Sequence, residues 1–428
     1  MKASELMAAV ADGALSAYRH LYSDIPRQTQ RYLAALREFI ALYGDREARI
    51  FSVPGRTEVM GNHTDHNGGS VLAASVDLDI IAVASPTDDG VIRLKSEGYG
   101  EDCVLLAECD DPARYADFSS AALIAGTVAG FGKRGYAVGG FVAYTQSAVL
   151  RGSGLSSSAA FAVMIGNILS HLYSPSGVEG EALAEVAQEA EMVYFGKPCG
   201  RMDQMACALG GLVFIDFEDA SAPKVERIAF SLHKAGLTLC ILDTGASHAD
   251  LNEDYAAVPA EMKRVAGYFG KALLRGVTEV ELIANAPILR RAVGDRALLR
   301  ALHFVRENER VLRASEALKR EDVNTFLQLV GESGESSYKY LQNVYTVKNT
   351  EEQGLSLALA LAEGLLSGHG SAYRVHGGGF AGTTQAFVPE DLAEDYRMVT
   401  ESVFGEGACM MLSIRPVGAT EINIANKN

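Results

Sequence analysis

Apolar residues recur at Leu33, Leu36, Phe39 and Leu42, which is helical spacing, and residues 1–45 read as helices, with the first 25 or so as an appendage. A short strand is predicted over 49–54, ended by Pro54 and followed by a turn-rich stretch. Ser70–Ser85 is dense in Val, Leu and Ile, the pattern of buried strands. Further strands are predicted at Gly90–Leu94, Gly140–Tyr144, Leu212–Asp216, Leu237–Leu242, Tyr373–Val375, Thr384–Val388 and Met411–Ile414. Helices are predicted over 119–134, Ser156–Leu172, Glu181–Phe195, most of Glu261 to Val330, Glu351–Leu366 and a stretch near 390–403. Strands and helices mix without regular βαβ alternation, which argues for an α+β fold rather than a doubly wound sheet. A boundary is expected near 220–230, where Asp219–Pro223 is loop-like, dividing the chain into 1–225 and 226–428.

The length of 428 residues supports two ordinary cores, and 48% hydrophobic with 21% charged residues is ordinary globular composition. Net charge changes the picture more. At -16 the surface repels nucleic-acid phosphates and anionic membranes, so neither is expected as a partner. The same field repels a nucleoside triphosphate at long range. Any nucleotide site must then be local, built from backbone amides, a metal ion and one or two basic groups. The six cysteines form no C-x-x-C pair and no zinc-type cluster with histidine, the usage of a reduced, cytoplasmic protein. The N-terminus lacks the apolar core of a signal peptide, and no apolar run approaches the roughly 20 residues of a membrane span. Nothing in the sequence sets an oligomeric state; a monomer is consistent with it.

Three segments concentrate candidate chemistry. Leu150–Ala160 reads L-R-G-S-G-L-S-S-S-A-A between a strand and an apolar helix. Glycines let phosphates approach the backbone, and the first helical turn offers free N–H groups with partial positive charge. Ser156, Ser157 and Ser158 add hydroxyls for phosphate or magnesium. The run is neither a Walker loop nor a dinucleotide fingerprint, and a serine-capped helix after a glycine turn is an equal reading. Val53–Gly69 crowds Arg56, Asn62, His63, Asp65, His66 and Asn67 into one turn. These groups suit a sugar's hydroxyls, a plain polar turn, or a metal held by His63, Asp65 and His66. Glu191 follows Ala184 and Ala187 on one helix face, where a carboxylate invites a cation or simply reaches out to solvent. Asp203 precedes an Ala-rich run that it could cap.

Together these segments resemble the GHMP kinase superfamily and, within it, the galactokinase family. P-G-R-T-E-V-M-G-N-H-T-D-H-N resembles the galactokinase signature, G-S-G-L-S-S-S-A-A the phosphate loop, and V-H-G-G-G-F-A-G-T-T (Val375–Thr384) the C-terminal glycine motif. G-R-M-D-Q around Asp203 and S-H-A-D-L-N-E-D-Y (Ser247–Tyr255) are similar in kind and spacing, so the resemblance spans roughly 30–420. It implies a two-domain fold with the active site in the interdomain cleft, and ATP-dependent transfer to the C1 hydroxyl of a galactose-like sugar. By motif position, Asp203 would be the catalytic carboxylate with Arg56 beside it. Gly152, Ser153, Gly154, Leu155, Ser156, Ser157 and Ser158 would cradle the phosphates of ATP, with Gly377, Gly378 and Gly379 closing from the second domain. One of Ser157 and Ser158, with Glu191, would hold Mg2+. Asn62, His63, Asp65, Gly200 and Tyr255 match sugar contacts.

The chain departs from the family pattern at Asn62, where galactokinases carry Glu, and at His66, where they carry Tyr. An uncharged Asn62 would tolerate a C6 carboxylate that Glu would repel by about 1–4 kcal/mol. Galactose is therefore expected, with galacturonate or another galactose derivative as the alternative. Val149, Leu150 and Arg151 also stand where a proline usually precedes the phosphate loop. A non-catalytic sugar and ATP sensor on the same fold is the remaining alternative; the intact serine run with Asp203 argues against it.

Overall fold

The computed structural model describes residues 1–149, 154–197, 199–246 and 251–424. Its first sheet holds β1 (Arg49–Met60), β2 (Ser70–Thr87), β3 (Val91–Ser96), β4 (Glu101–Leu105), β5 (Gly140–Ser147), β6 (Leu212–Asp216), β7 (Lys224–Ile228) and β12 (Thr420–Glu421). The second holds β8 (Leu237–Asp243), β9 (Ala372–Val375), β10 (Thr383–Pro389) and β11 (Cys409–Leu412), in the order β11-β8-β10-β9. Only β3 and β5 pair in parallel among the described strands. The expected α+β class is what forms.

β1 does not stop at Pro54. It runs on to Met60, and its register against β2 shifts between Pro54 and Arg56 and again between Glu58 and Met60. A proline without an N–H is tolerated at such an irregularity, and a bulge re-aims the side chains that follow. The apolar stretch from Ser70 is one long strand: β2 pairs with β6 over Ser70–Ala74 and with β5 over Ile80–Thr87.

Successive side chains of a strand point to opposite faces, and both faces of this sheet are covered. Phe51, Ala82, Ala84 and Ala143 enter the main core with α3 (Ser120–Lys133), α4 (Ser157–Tyr173), α5 (Gly180–Glu189) and α6 (Met202–Leu209). Their neighbours Ile50, Ile81, Val83 and Val142 enter a second core with α1 (Ala3–Ala11) and α2 (Ile25–Tyr43). The N-terminal appendage is thus the lid of that outer face. Asp79, fully buried, ties it down: its carboxylate meets Arg31 of α2, Arg415, Tyr22 and Ser52.

The helical stretch expected between Glu261 and Val330 forms α7 (Asn252–Tyr268), α8 (Glu279–Ala284), α9 (Ala286–Ala292), α10 (Asp295–Lys319) and α11 (Val323–Ser336). α12 (Gly354–Leu366) and α13 (Ala393–Phe404) pack on the second sheet. The position 225 expected as a boundary falls inside β7, which pairs with β6 in the first sheet, and β12 returns the end of the chain to pair with β1. The main core takes side chains from both sheets, including Leu239, Ile241 and Phe387 from the second.

Candidate active site

Arg56 leaves the β1 bulge with 6% exposure, and its Nε donates to Asp203 Oδ1 at 2.7 Å. Asp203 sits in the first turn of α6, where a carboxylate is favoured by the helix dipole, but it caps no N–H there. Its other oxygen accepts from the Ser156 hydroxyl, while Arg56 also donates to the Gly154 carbonyl. Burial alone would raise the Asp203 carboxyl; the adjacent Arg56 guanidinium, with Lys197 and Ser156, outweighs it and holds the carboxyl well below the usual carboxylate range. Asp203 is an anion at every working pH. The glycine-serine loop and β1 are joined directly, since the Arg56 N–H donates to the Leu155 carbonyl at 3.2 Å.

A second cluster lies at the N-terminus of α4. Beyond α5 the helix makes a π turn, Ala190–Tyr194, which puts Glu191 in the interior with no exposure; such turns recur at functional sites. Ser158 donates to Glu191 Oε1 at 2.5 Å, the Gln204 amide donates to Oε2, and Lys197 Nζ stands 3.3 Å from Oε1 and 3.2 Å from the Ser158 hydroxyl. Ser157 opens α4 beside them. A hydroxyl and a carboxylate are hard oxygen donors of the kind magnesium takes together with substrate phosphates, so these residues fit that ion. Gly154 fits a phosphate cradle: its φ is +70°, and a Cβ there would lie 2.5 Å from the Thr383 hydroxyl.

The third group gathers the turn after β1. A Cβ on Gly200 would lie 1.7 Å from Asp65 Oδ2, so only glycine lets these two loops meet. The His63 ring bonds the Gly378 carbonyl at 2.9 Å, and burial pushes its pKa down to about 3, so it is neutral. Tyr255 of α7 donates to the Gly379 carbonyl at 2.6 Å, and its ring lies against Gly378. His66 is half-buried beside Asp65. Asn62 is fully buried. Its amide donates to Glu58 at 2.7 Å and to the Gly377 carbonyl at 2.5 Å, and accepts from Asn343 at 2.6 Å. Both ends of that amide are therefore engaged by protein. His63, Ser156 and Phe380, one in each converging loop, all carry left-handed backbone, a costly conformation that clusters at functional sites.

Arg56, Gly154, Leu155, Ser156 and Asp203 thus form one cluster, Ser157, Ser158 and Glu191 a second, and Asn62, His63, Asp65, Gly200, Tyr255, Gly378 and Gly379 a third. Gly152, Ser153 and Leu150–Arg151 lie outside the described residues, as do Ser247–Asp250 of the S-H-A-D-L-N-E-D-Y stretch. His63, Asp65 and His66 find no further ligand: no group of three or more His, Cys, Asp or Glu among the described residues could hold a metal ion. Sequence reasoning missed Lys197 and Gln204 beside Glu191. The signal for Lys197 was its position: it is the basic group in the loop after a candidate metal carboxylate, on a chain whose charge demands local cations.

The N-terminal half matches the family model described as "GHMP kinases N terminal domain" over residues 121–211, and "Galactokinase galactose-binding signature" over 37–86. Mevalonate kinase of Methanococcus jannaschii superposes with a TM-score of 0.60 at 15% identity, over 86% of this chain and 98% of that one. Fold and site define a kinase of the GHMP superfamily. Galactokinase of Streptomyces coelicolor is 33% identical over 82% of this chain and 87% of its own, and that of Thermotoga petrophila 31% over 80% and 93%. The Lactococcus lactis galactokinase structure, solved with galactose, superposes with a TM-score of 0.77 at 24% identity, over 90% and 98%. The chain belongs to the galactokinase family: it is a sugar kinase, a phosphotransferase with a hydroxyl acceptor. No helix among the described residues is long and apolar enough to cross a membrane.

Proposed function

We propose that this kinase transfers the γ-phosphoryl group of ATP to the C1 hydroxyl of galactose. The observation that carries the reading is the Arg56–Asp203–Ser156 cluster at the glycine-serine loop, together with the polar group formed where the His63, Asp65, Gly200 and Tyr255 segments meet. Asp203 accepts a hydrogen bond from the C1 hydroxyl and aims its oxygen at the γ-phosphorus. With its carboxyl held so acidic, Asp203 is a weak base toward a free alcohol. The proton therefore moves late, once the new P–O bond has made the hydroxyl acidic, while the bond to the ADP oxygen breaks. Arg56 keeps the carboxylate oriented and offsets charge on the moving group, so catalysis rests on positioning and electrostatics.

Ser158 and Glu191 are the residues that would hold magnesium, with Ser157 adjacent; the ion supplies charge neutralisation between phosphate oxygens. Gly152–Ser158 would cradle the phosphates, and Gly378 and Gly379 would cover them from the second sheet. The chain divides functionally into an N-terminal half that supplies the phosphate loop and Asp203 and a C-terminal half that supplies Tyr255 and the glycine loop. Its working compartment is the cytoplasm, a reading supported by six cysteines that are all free. The alternative of a C6-carboxylate sugar rested on an uncharged Asn62; that amide is bonded to Glu58, Gly377 and Asn343, so it offers no free end to recognise such a group.

The test is ADP release with Mg-ATP and galactose, galacturonate, N-acetylgalactosamine or glucose. Galactose should turn over fastest, and Asp203→Asn should lower kcat on the order of a hundredfold or more with the fold intact. No turnover of any of the four sugars by folded protein would overturn the assignment.

A further inference from the structure

Lys197 is bound to both oxygens assigned above to the metal. Its backbone N–H donates to the Glu191 carbonyl at 3.0 Å, so the loop folds the stem back over the turn that carries the carboxylate. The ammonium then lies 3.3 Å from Glu191 Oε1 and 3.2 Å from the Ser158 hydroxyl, two oxygens that are themselves 2.5 Å apart. Glu191 has no exposure, and a buried carboxylate without a counter-charge is costly. Among the described residues its other side-chain partners, the Ser158 hydroxyl and the Gln204 amide, are neutral. The Lys197 side chain, by contrast, is 38% exposed, so solvent reaches part of it.

We propose that Lys197 is a tethered stand-in for the divalent cation: it neutralises Glu191 and keeps Ser158 and Glu191 in place while the site is empty, and it yields when the metal enters with the nucleotide. Magnesium bound to these two oxygens would stand about 2.0–2.1 Å from each, leaving no room for an ammonium on the same pair. The lysine must leave, and the triphosphate is the nearest new anion to receive it. Free metal arriving alone offers no such anion, so Lys197 disfavours metal without nucleotide. This rests on the assignment of Ser158 and Glu191 as metal ligands in a kinase.

The test is Mn2+ binding to the nucleotide-free full chain, read from the electron paramagnetic resonance of free Mn2+. Lys197→Met should bind one Mn2+ about ten- to a hundredfold more tightly than the unaltered protein, because a like charge has left the site. Lys197→Gln carries the same expectation should the Met variant fold poorly, and Lys197→Arg should behave as the parent. The gain should vanish in Lys197→Met combined with Glu191→Gln. Unchanged affinity in the folded Met and Gln variants, or a gain that survives Glu191→Gln, would overturn the proposal. ADP release by the unaltered protein separates the two readings. Turnover without a gain in Mn2+ affinity removes only the stand-in; absence of turnover removes the kinase assignment while the Mn2+ result still decides the role of Lys197.

Discussion

Glu58 is 4% exposed; burial, offset in part by Arg374, Asn62 and Arg56, pushes its carboxyl up to about 7 from a usual 4.5. An acid whose folded pKa is raised holds its proton more tightly folded than unfolded. Its contribution therefore favours the folded state below about pH 4.5 and is lost as pH rises to about 7, on the order of 3 kcal/mol in all. Glu58→Gln keeps an acceptor for the Asn62 amide without the ionisation. We expect it to melt higher than the parent at pH 8 and nearly alike at pH 5; parallel pH profiles would show that Glu58 does not titrate in this window. His63 has the opposite character, a ring kept neutral by burial, so it offers the proposed sugar site a hydrogen-bonding group without charge.

At the scale of elements, the N-terminal helices earn their place through one carboxylate. Burial alone would raise the Asp79 carboxyl; Arg31 and Arg415, with Ser52 and Tyr22, hold it below the usual range. Asp79→Ala would leave two largely buried guanidiniums without their counter-charge. It should cost about 3–5 kcal/mol of stability, measured by denaturant unfolding, because removing one partner of a buried pair is worse than never having the pair. A loss below about 1 kcal/mol, the range of surface pairs, would mean that water reaches this network. The site is likewise made at the ends of elements: a bulge in β1 aims Arg56, a π turn turns Glu191 inward, and the first turns of α4 and α6 present Ser158 and Asp203.

For the whole molecule, the decisive feature is that two sheets share a core and that β12 and Arg415 tie the end of the chain to β1 and β2. Such cross-linking predicts one cooperative unfolding transition. Ligand spanning both halves should raise it as a unit, by about 2.7 kcal/mol at a hundred times its Kd. Calorimetry with Mg-ADP checks this; two resolved transitions, with only one moved by nucleotide, would contradict it. The helix and strand content, the α+β class and the main chemical groups were legible from the sequence, because periodicity, glycine-serine runs and clustered polar residues are local signals. Three things were not. β1 passes Pro54 because β2 pairs with both sides of the bulge, β12 joins the first sheet through a partner distant in sequence, and Asn62 has its amide engaged by Glu58, Gly377 and Asn343. By itself the sequence determined which groups were available for catalysis. Only the tertiary structure decided which of them face one another and which are consumed by the interior, since hydrogen bonds and charge pairs between distant residues depend on packing that no local pattern encodes.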